Sequence, residues 1–145
     1  MTASAITTQL IDIDFNPFEG PSIGRLAPTT EPQLEIWAAC QFGGDDASRG
    51  FNESVSLRFT GFVDTLAFEN AWQRLIARHE SLHAAFSADG RQMCVFDDFS
   101  VELAFQDYSS RTEADQVRAV DAYAEQYALH VFDLINGPLI KGGLL

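Results

Sequence analysis

The chain has 145 residues, of which 46% are hydrophobic and 21% charged, the size and composition of one globular domain. Its formal net charge is -12, so neither a nucleic acid nor an anionic membrane surface is an expected partner. We find no signal peptide and no apolar run approaching the roughly 18 residues of a membrane span, and we therefore expect a cytoplasmic protein.

Residues 1–28 differ in composition from the rest of the chain. The stretch L-I-D-I-D-F (residues 10–15) alternates apolar and acidic side chains, which predicts a short strand. Residues 16–28 are rich in Pro and Gly and predict an extended linker. Disorder, packing along the domain and docking to another protein are open interpretations of residues 1–28, and the domain itself is expected to span residues 29–145.

Two elements are predicted between residues 29 and 64. A helix begins after Thr30, because Gln33 stands three residues later as in a capping box and Pro32 lies in the first turn. The stretch G-G-D-D-A-S-R-G (residues 43–50) predicts a loop that ends this helix. Residues 52–64 follow, and their apolar and polar side chains alternate, which predicts a strand with one buried face.

The second half of the chain predicts five further elements. Residues 64–80 have apolar side chains at helical spacing, and Asp89-Gly90 between two apolar runs indicates a hairpin. Residues 100–105 alternate as a strand, Thr112 opens a long helix, and residues 137–145 resemble the start of a buried strand. The order predicts a mixed α/β fold with a largely antiparallel sheet and helices packed on it.

One short motif suggests a zinc site. The stretch H-E-S-L-H matches H-E-x-x-H, in which His79 and His83 on one helix would share a zinc ion and Glu80 would activate its bound water. Catalytic zinc needs a third protein ligand, which the downstream residues do not supply in a recognisable pattern. The helix is also expected to end near His79, so a zinc hydrolase is kept only as an alternative.

Three segments taken together resemble motifs of condensation domains in nonribosomal peptide synthetases. Residues 29–42 are similar to the first core motif, S-x-A-Q-x-R-x-W. Gln33 and Trp37 match that motif, whereas Glu35 stands where the family usually has Arg.

Residues 78–86, R-H-E-S-L-H-A-A-F, resemble the second motif, R-H-E-x-L-R-T-x-F. The matching residues are Arg78, His79, Glu80, Leu82 and Phe86. His83 replaces the usual Arg and Ala84 the usual Thr, and the substitution at position 83 completes the zinc-like pattern.

Residues 132–145 resemble the third segment, F-D-L-x-x-G-P-L-x-R-x-x-L. The matching residues are Phe132, Asp133, Leu134, Gly137, Pro138 and Leu139, with Lys141 in place of Arg. The resemblance covers about residues 27–145. It implies an incomplete N-terminal lobe of a chloramphenicol-acetyltransferase-like fold.

The resemblance also implies a function. Complete condensation domains join a carrier-bound acyl or peptidyl donor to a carrier-bound amino acid by forming an amide, in secondary metabolite and antibiotic biosynthesis. The family motif H-H-x-x-x-D-G, whose second histidine lies at the centre of the reaction, is absent from this sequence. We therefore expect an N-terminal portion that is inactive alone, has no catalytic residue and binds no cofactor or metal directly. A non-catalytic module that docks a carrier protein is the alternative.

The expected partners are acyl or peptidyl carrier domains with phosphopantetheine arms, and the C-terminal remainder of the condensation domain. Because the sequence starts at Met1, we also expect an upstream synthase or synthetase to deliver the donor in trans. Arg78 and Glu80 are candidates for polar contacts where the helix meets the strand, and an exposed ion pair of little energetic worth is the alternative. Trp37, Trp72 and Phe86 are expected in the core.

Overall fold

The computed structural model describes residues 21–145 and has the mixed α/β architecture that the sequence predicts. Its helices and strands are β1 (Ile23–Pro28), α1 (Glu31–Gly50), α2 (Thr65–Arg78), β2 (Ala84–Phe86), β3 (Gln92–Phe96), β4 (Leu103–Phe105), α3 (Glu113–Ala128) and β5 (Gly142–Leu144). One 3-10 turn, Glu80–Leu82, lies between α2 and β2. The strand predicted for residues 10–15 lies outside the described residues.

The first helix begins where the sequence predicts and ends later. The Gln33 side-chain oxygen accepts the Thr30 backbone N–H at 2.8 Å, and so satisfies a donor at the start of the helix. The loop predicted for residues 43–50 is wrong in extent. The helix is interrupted at Gly44, where φ is +67°, and the chain then returns to helical geometry as far as Gly50. A residue without Cβ adopts this left-handed conformation at little cost, so the break is confined to one residue.

The other two helices form in the regions where the sequence predicts them. The Asp64 side chain accepts the Ala67 backbone N–H at 3.0 Å and caps α2. Thr112 caps α3 in the same way by accepting the Asp115 backbone N–H at 3.3 Å. The apolar stripe of α2 faces inward at Ile76, whose side chain is fully buried.

A three-stranded antiparallel sheet in the order β1–β3–β2 forms the centre of the molecule. The predicted hairpin between β2 and β3 is confirmed, and Gly90 at its turn has φ of +71°. The Trp37 ring lies where a side chain at position 90 would be, since a Cβ there would come within 2.3 Å of the indole. Both observations require glycine at this turn.

Strand β1 was not predicted from the sequence. Ile23–Pro28 pairs with β3, although the composition of these residues predicted a linker. Gly24 and Pro28 suggested a linker because both residues are uncommon in strand interiors. An edge strand tolerates them, and β1 is an edge of this sheet.

The remaining strands form a separate two-stranded sheet. β4 and β5 are parallel, with Leu103 opposite Gly142 and Phe105 opposite Leu144. The strand predicted for residues 52–64 is not formed. Residues 52–60 pair with no strand in the part of the chain that the structure describes. Val55 and Leu57, which were expected to be buried, are 83% and 73% exposed.

The buried side chains come from α1, α2, the hairpin and the segment before β4. They are Cys40, Ile76, His83, Ala84, Ala85, Phe86, Val95, Phe96 and Val101. The Trp72 indole N–H donates to the Val101 carbonyl at 2.8 Å and joins α2 to the segment before β4. Among the described helices, none has the length and apolar character needed to cross a membrane.

Candidate functional site

The three segments that resemble family motifs meet around the β2–β3 hairpin. We call the segment of residues 78–86 the central motif, because it runs from the last turn of α2 through the 3-10 turn into β2. Its N-terminal half is exposed and its C-terminal half is buried. The two halves therefore have different partners.

The exposed half contains Arg78, His79 and Glu80. The Glu80 carboxylate forms an ion pair with the Arg25 guanidinium of β1, and both side chains are 56% exposed. An ion pair so open to solvent contributes at most about 1 kcal/mol to stability. It joins the 3-10 turn to the edge strand, whereas Arg78 is exposed at the last turn of α2.

The buried half contains Leu82, His83 and Phe86, of which Leu82 is half-buried. His83 Nδ1 lies 2.8 Å from the Ile76 carbonyl oxygen. A carbonyl only accepts hydrogen bonds, so Nδ1 carries the hydrogen and donates it. The last carbonyls of a helix lack helical partners, and this bond satisfies one of them at the end of α2. His83 thus stabilises the turn between helix and strand.

The first part of the third motif segment, residues 132–139, packs against the central motif. The Phe86 backbone N–H donates to the Leu134 carbonyl at 2.7 Å, so β2 is tied to this loop. A Cβ on Gly137 would lie 3.7 Å from the Ala85 Cβ, which puts the loop backbone directly over the strand. Two segments that are distant in sequence therefore form one surface.

The Asp133 carboxylate shapes that loop. It accepts the backbone N–H of Asn136 at 3.0 Å, the Asn136 side-chain amide at 2.7 Å and the Ile135 N–H at 2.9 Å. These hydrogen bonds, with those from Asn136 contributing most, hold the pKa of Asp133 below its usual range. The carboxylate is an organiser of the turn and stays ionised at neutral pH.

The first motif segment contacts the turn of the same hairpin. Gln33 caps α1, as described above, and Trp37 one turn later packs on Gly90. Its indole nitrogen is buried and has no hydrogen-bond partner among residues 21–145. Thr29 also contacts the turn, through a hydrogen bond from its hydroxyl to the Gly90 carbonyl at 2.9 Å.

A groove of about 440 Å³ lies beside the third motif segment, between the end of α3 and the β4–β5 sheet. Its walls include Val101, Phe132 and Ile140, and its polar groups are Glu102, Tyr127, His130, Asp133 and Lys141. The Lys141 ammonium lies 4.7 Å from the centre of the Tyr127 ring, in cation–π geometry. Burial and, to a lesser extent, the Lys141 charge lower the pKa of His130, so its imidazole is neutral at pH 7.

The geometry does not form the zinc site that the H-E-x-x-H pattern offered as an alternative. His79 is the residue that ends α2, residues Glu80–Leu82 are a 3-10 turn, and position 84 is already strand. The two imidazoles therefore do not stack one helical turn apart. Residues 21–145 contain no group of three or more His, Cys, Asp or Glu arranged to hold a metal ion.

Two residues that organise this region gave no signal in the sequence. The Asn52 side-chain amide donates to the His130 carbonyl at 2.7 Å, and Arg49 Nε donates to the Leu129 carbonyl at 3.1 Å. Both satisfy carbonyls beyond the end of α3. Arg49 lies in the stretch predicted as a loop and Asn52 at the start of the predicted strand, and no local pattern connects them to residues so far along the chain.

Comparison with known proteins identifies the family. The protein-family model of the condensation domain matches residues 24–145, which is most of the chain. The chain belongs to the condensation domain family. The resemblance inferred from three motif segments is confirmed, and the match begins within β1, in agreement with its place in the sheet.

Two relatives show how small a part of the whole proteins this condensation-domain chain represents. It is 30% identical over 128 residues to tyrocidine synthase 3 of Brevibacillus parabrevis, covering 88% of this chain and 2% of that protein. It is 28% identical over 120 residues to chondramide synthase cmdD of Chondromyces crocatus, covering 81% of this chain and 3% of the synthase.

A solved structure confirms the fold. The crystal structure of the starter condensation domain of rhizomide synthetase RzmA, a mutant in complex with C8-CoA and Leu-SNAC, matches with a TM-score of 0.65 and 23% identity. The match covers 81% of this chain and 27% of that one. The present chain therefore corresponds to about a quarter of the solved chain.

Proposed function

We propose that this chain supplies the N-terminal part of a condensation domain that joins a carrier-bound acyl or peptidyl donor to a carrier-bound amino acid. The contact between Phe86 and Leu134 supports this proposal most directly. It brings together two segments that resemble family motifs although they are far apart in sequence. If the motif segments are parts of one condensation-domain scaffold, they are expected to lie next to each other in the fold.

In this reaction the amine of the acceptor attacks the carbonyl carbon of the donor thioester, the new C–N bond forms and the carrier thiol leaves. Phosphopantetheine arms on partner carrier domains present both substrates. A histidine of the H-H-x-x-x-D-G motif would orient the amine or take its proton. That motif is not in this sequence, and we assign residues 21–145 the role of holding the surrounding scaffold.

The residues of the central motif contribute by holding neighbouring segments of the scaffold in place. His83 fixes the end of α2, Glu80 joins the 3-10 turn to Arg25, and Phe86 fixes the third motif segment. Catalysis that depends on holding two substrates in one site is sensitive to small displacements of the scaffold. The buried half of the central motif is therefore expected to affect turnover through geometry alone.

A fusion protein tests the proposal. Residues 1–145 are joined to the part of the rhizomide synthetase starter condensation domain that lies beyond its match to this chain. C8-CoA and Leu-SNAC, the compounds in that crystal structure, serve as substrates. We expect mass spectrometry to detect the amide with the fusion and not with residues 1–145 alone.

The control is the same fusion with the second histidine of its H-H-x-x-x-D-G motif replaced by Ala, which should abolish the product. Slow hydrogen exchange of the backbone N–H groups of β2 and β3 would show that the fusion is folded. A folded fusion that forms no amide product would contradict the proposed function. If residues 1–145 alone then bind an acylated carrier protein, the docking module becomes the better description. Amide formation by residues 1–145 alone would contradict the expected inactivity.

A further inference from the structure

The outer edge of β1 has no partner among residues 21–145, because the sheet order places β1 beside β3 alone. The Thr29 backbone N–H donates to the Arg91 carbonyl at 3.0 Å, so Thr29 faces β3. Backbone groups of an antiparallel strand face its two neighbours alternately. Ala27 therefore directs its N–H and C=O towards β3, whereas Leu26 directs both groups to the open edge.

A bulge near the start of β1 gives the same edge a second open residue. The Asp97 backbone N–H donates to the Ser22 carbonyl at 2.9 Å, so Ser22 faces β3 and Ile23 faces outwards. The register of β1 with β3 shifts between Ile23 and Arg25, as it does at a bulge. Ile23 and Leu26 therefore both offer N–H and C=O groups on the edge, although they are three residues apart.

The side chains at these two positions lie on one side of the sheet. In the register with β3, Ile23 is opposite Phe96. Leu26 is opposite Cys94, which is two residues from Phe96 on the same strand. Opposed residues, and residues two apart on one strand, share a side of the sheet. Ile23 and Leu26 are each 52% exposed, so a strand added at this edge would gain apolar contacts on that side.

Residues 10–15, L-I-D-I-D-F, have the pattern that such an edge requires. Their apolar and acidic side chains alternate, which places Ile11, Ile13 and Phe15 on one face of an extended segment. The match to the family model begins at residue 24, so this segment lies outside it. The segment is therefore a feature of this chain that the family match does not explain.

The connection between the two segments is short. Residues 16–22 contain Pro17, Gly20 and Pro21, which favour a turn. Adjacent strands lie about 4.8 Å apart, so this connection is long enough for the chain to reverse into an antiparallel pair. A short tether also keeps the segment at an effective concentration on the order of millimolar beside its own edge. A second copy is disfavoured, because each chain carries a net charge of -12 and two such chains repel.

We propose that residues 10–15 add to the open edge of β1 as an antiparallel fourth strand of the sheet, with Phe15 opposite Ile23 and Ile13 opposite Leu26. Phe15 and Ile13 are two residues apart and face β1 together, so each can exchange backbone hydrogen bonds with the open residue opposite it. The bulge takes up the extra residue between Ile23 and Leu26. The added strand covers an edge that would otherwise be available for pairing with other chains.

The acidic face of the added strand agrees with the charge on β1. In this register Asp14 lies opposite Arg25, and Asp12 lies opposite Ala27. The Arg25 guanidinium pairs with Glu80 and is 56% exposed. A guanidinium has five N–H donors, so Arg25 can bind a second carboxylate. The inference does not depend on the proposed function, because it concerns residues that precede the family match.

Hydrogen exchange measured by NMR on the 145-residue chain tests the inference. We expect the Leu26 N–H to exchange at least about 10-fold more slowly than an unpaired amide of the same sequence. The Ala27 N–H faces β3 and is protected with or without the added strand, so its protection shows that the sheet is folded. An NOE between the Cα hydrogens of Asp12 and Ala27, whose Cα atoms would be about 4.5 Å apart, checks the register.

A matched pair of substitutions identifies the segment. Ile13→Asn puts an amide on the apolar face and should remove the protection of the Leu26 N–H. Asp12→Asn introduces the same residue one position away, on the other face, and should keep that protection. The Ala27 N–H should stay protected in both variants.

A Leu26 N–H that exchanges at the unpaired rate beside a protected Ala27 N–H would overturn the inference. Protection of Leu26 that survives Ile13→Asn would show that another segment covers the edge, with the same consequence. Protection that rises with protein concentration, together with a dimer by light scattering, would identify a second copy as the occupant. Protection that appears only after an acylated carrier protein is added would identify docking in trans. Either result would also overturn the inference.

The fusion with the rhizomide synthetase starter domain provides a second system. If the Ala27 N–H is unprotected in residues 1–145 alone, the same exchange measurements and the same two variants are made in that fusion. An unprotected Leu26 N–H beside a protected Ala27 N–H would overturn the inference there as well, whether or not the fusion forms the amide product.

Discussion

The β1–β3–β2 sheet and residues 53–63, which we call the exposed strip, both contain apolar side chains, but the two regions differ in how far those side chains are buried. In the sheet, Phe86 is 7% exposed and hydrogen-bonds through its backbone to the loop above it. In the exposed strip, Leu57 is 73% exposed and lies in a segment without a strand partner among residues 21–145. An apolar pattern marks the face to be buried, but burial requires a partner, and only the sheet has its partners within this chain.

The largest expected effect compares one phenylalanine from each region. Phe86→Ala removes a buried ring and should lower the free energy of unfolding of the 145-residue chain by about 3–5 kcal/mol. Phe62→Ala removes a ring that is 95% exposed and should change it by less than about 0.5 kcal/mol. Urea denaturation followed by circular dichroism measures both. Similar losses for the two variants would remove the contrast between the regions.

A smaller effect is expected at the histidines of the central motif. His83→Ala removes a buried imidazole and its hydrogen bond to the Ile76 carbonyl, which keeps only the bond from the His79 backbone N–H at 3.3 Å. This loss should cost about 1–3 kcal/mol of unfolding free energy. His79→Ala, at an exposed position four residues earlier, should cost less than about 0.5 kcal/mol. Equal costs from the same urea experiment would contradict the structural role of His83.

The smallest effect is a pH dependence at His130. Burial lowers its pKa in the folded chain below the unfolded value, so between the two values the unfolded chain binds more protons. Stability should be retained above about pH 6.5 and fall as the pH drops from there towards the folded pKa. His130→Gln should reduce the difference in unfolding free energy between pH 7.5 and pH 5.5. An unchanged difference would show that His130 does not contribute to it.

The sequence determined the elements whose signals are local. Gln33 near Thr30, Thr112 before α3 and Gly90 at the hairpin act within a few residues, and each lies where the sequence placed it. Capping and tight turns depend on short-range hydrogen bonds and backbone conformation, which neighbouring residues specify. The motif segments, and with them the family, could be identified for the same reason.

Tertiary structure decided the elements that depend on distant partners. β1 is a strand because it pairs with β3, and residues 52–60 pair with no strand among residues 21–145 although their alternation is regular. β4 and β5 pair in parallel although α3 lies between them in the sequence. Strand pairing requires a second segment whose position is set by the whole fold, so a strand pattern in the sequence specifies a face to bury and leaves its partner to the tertiary structure.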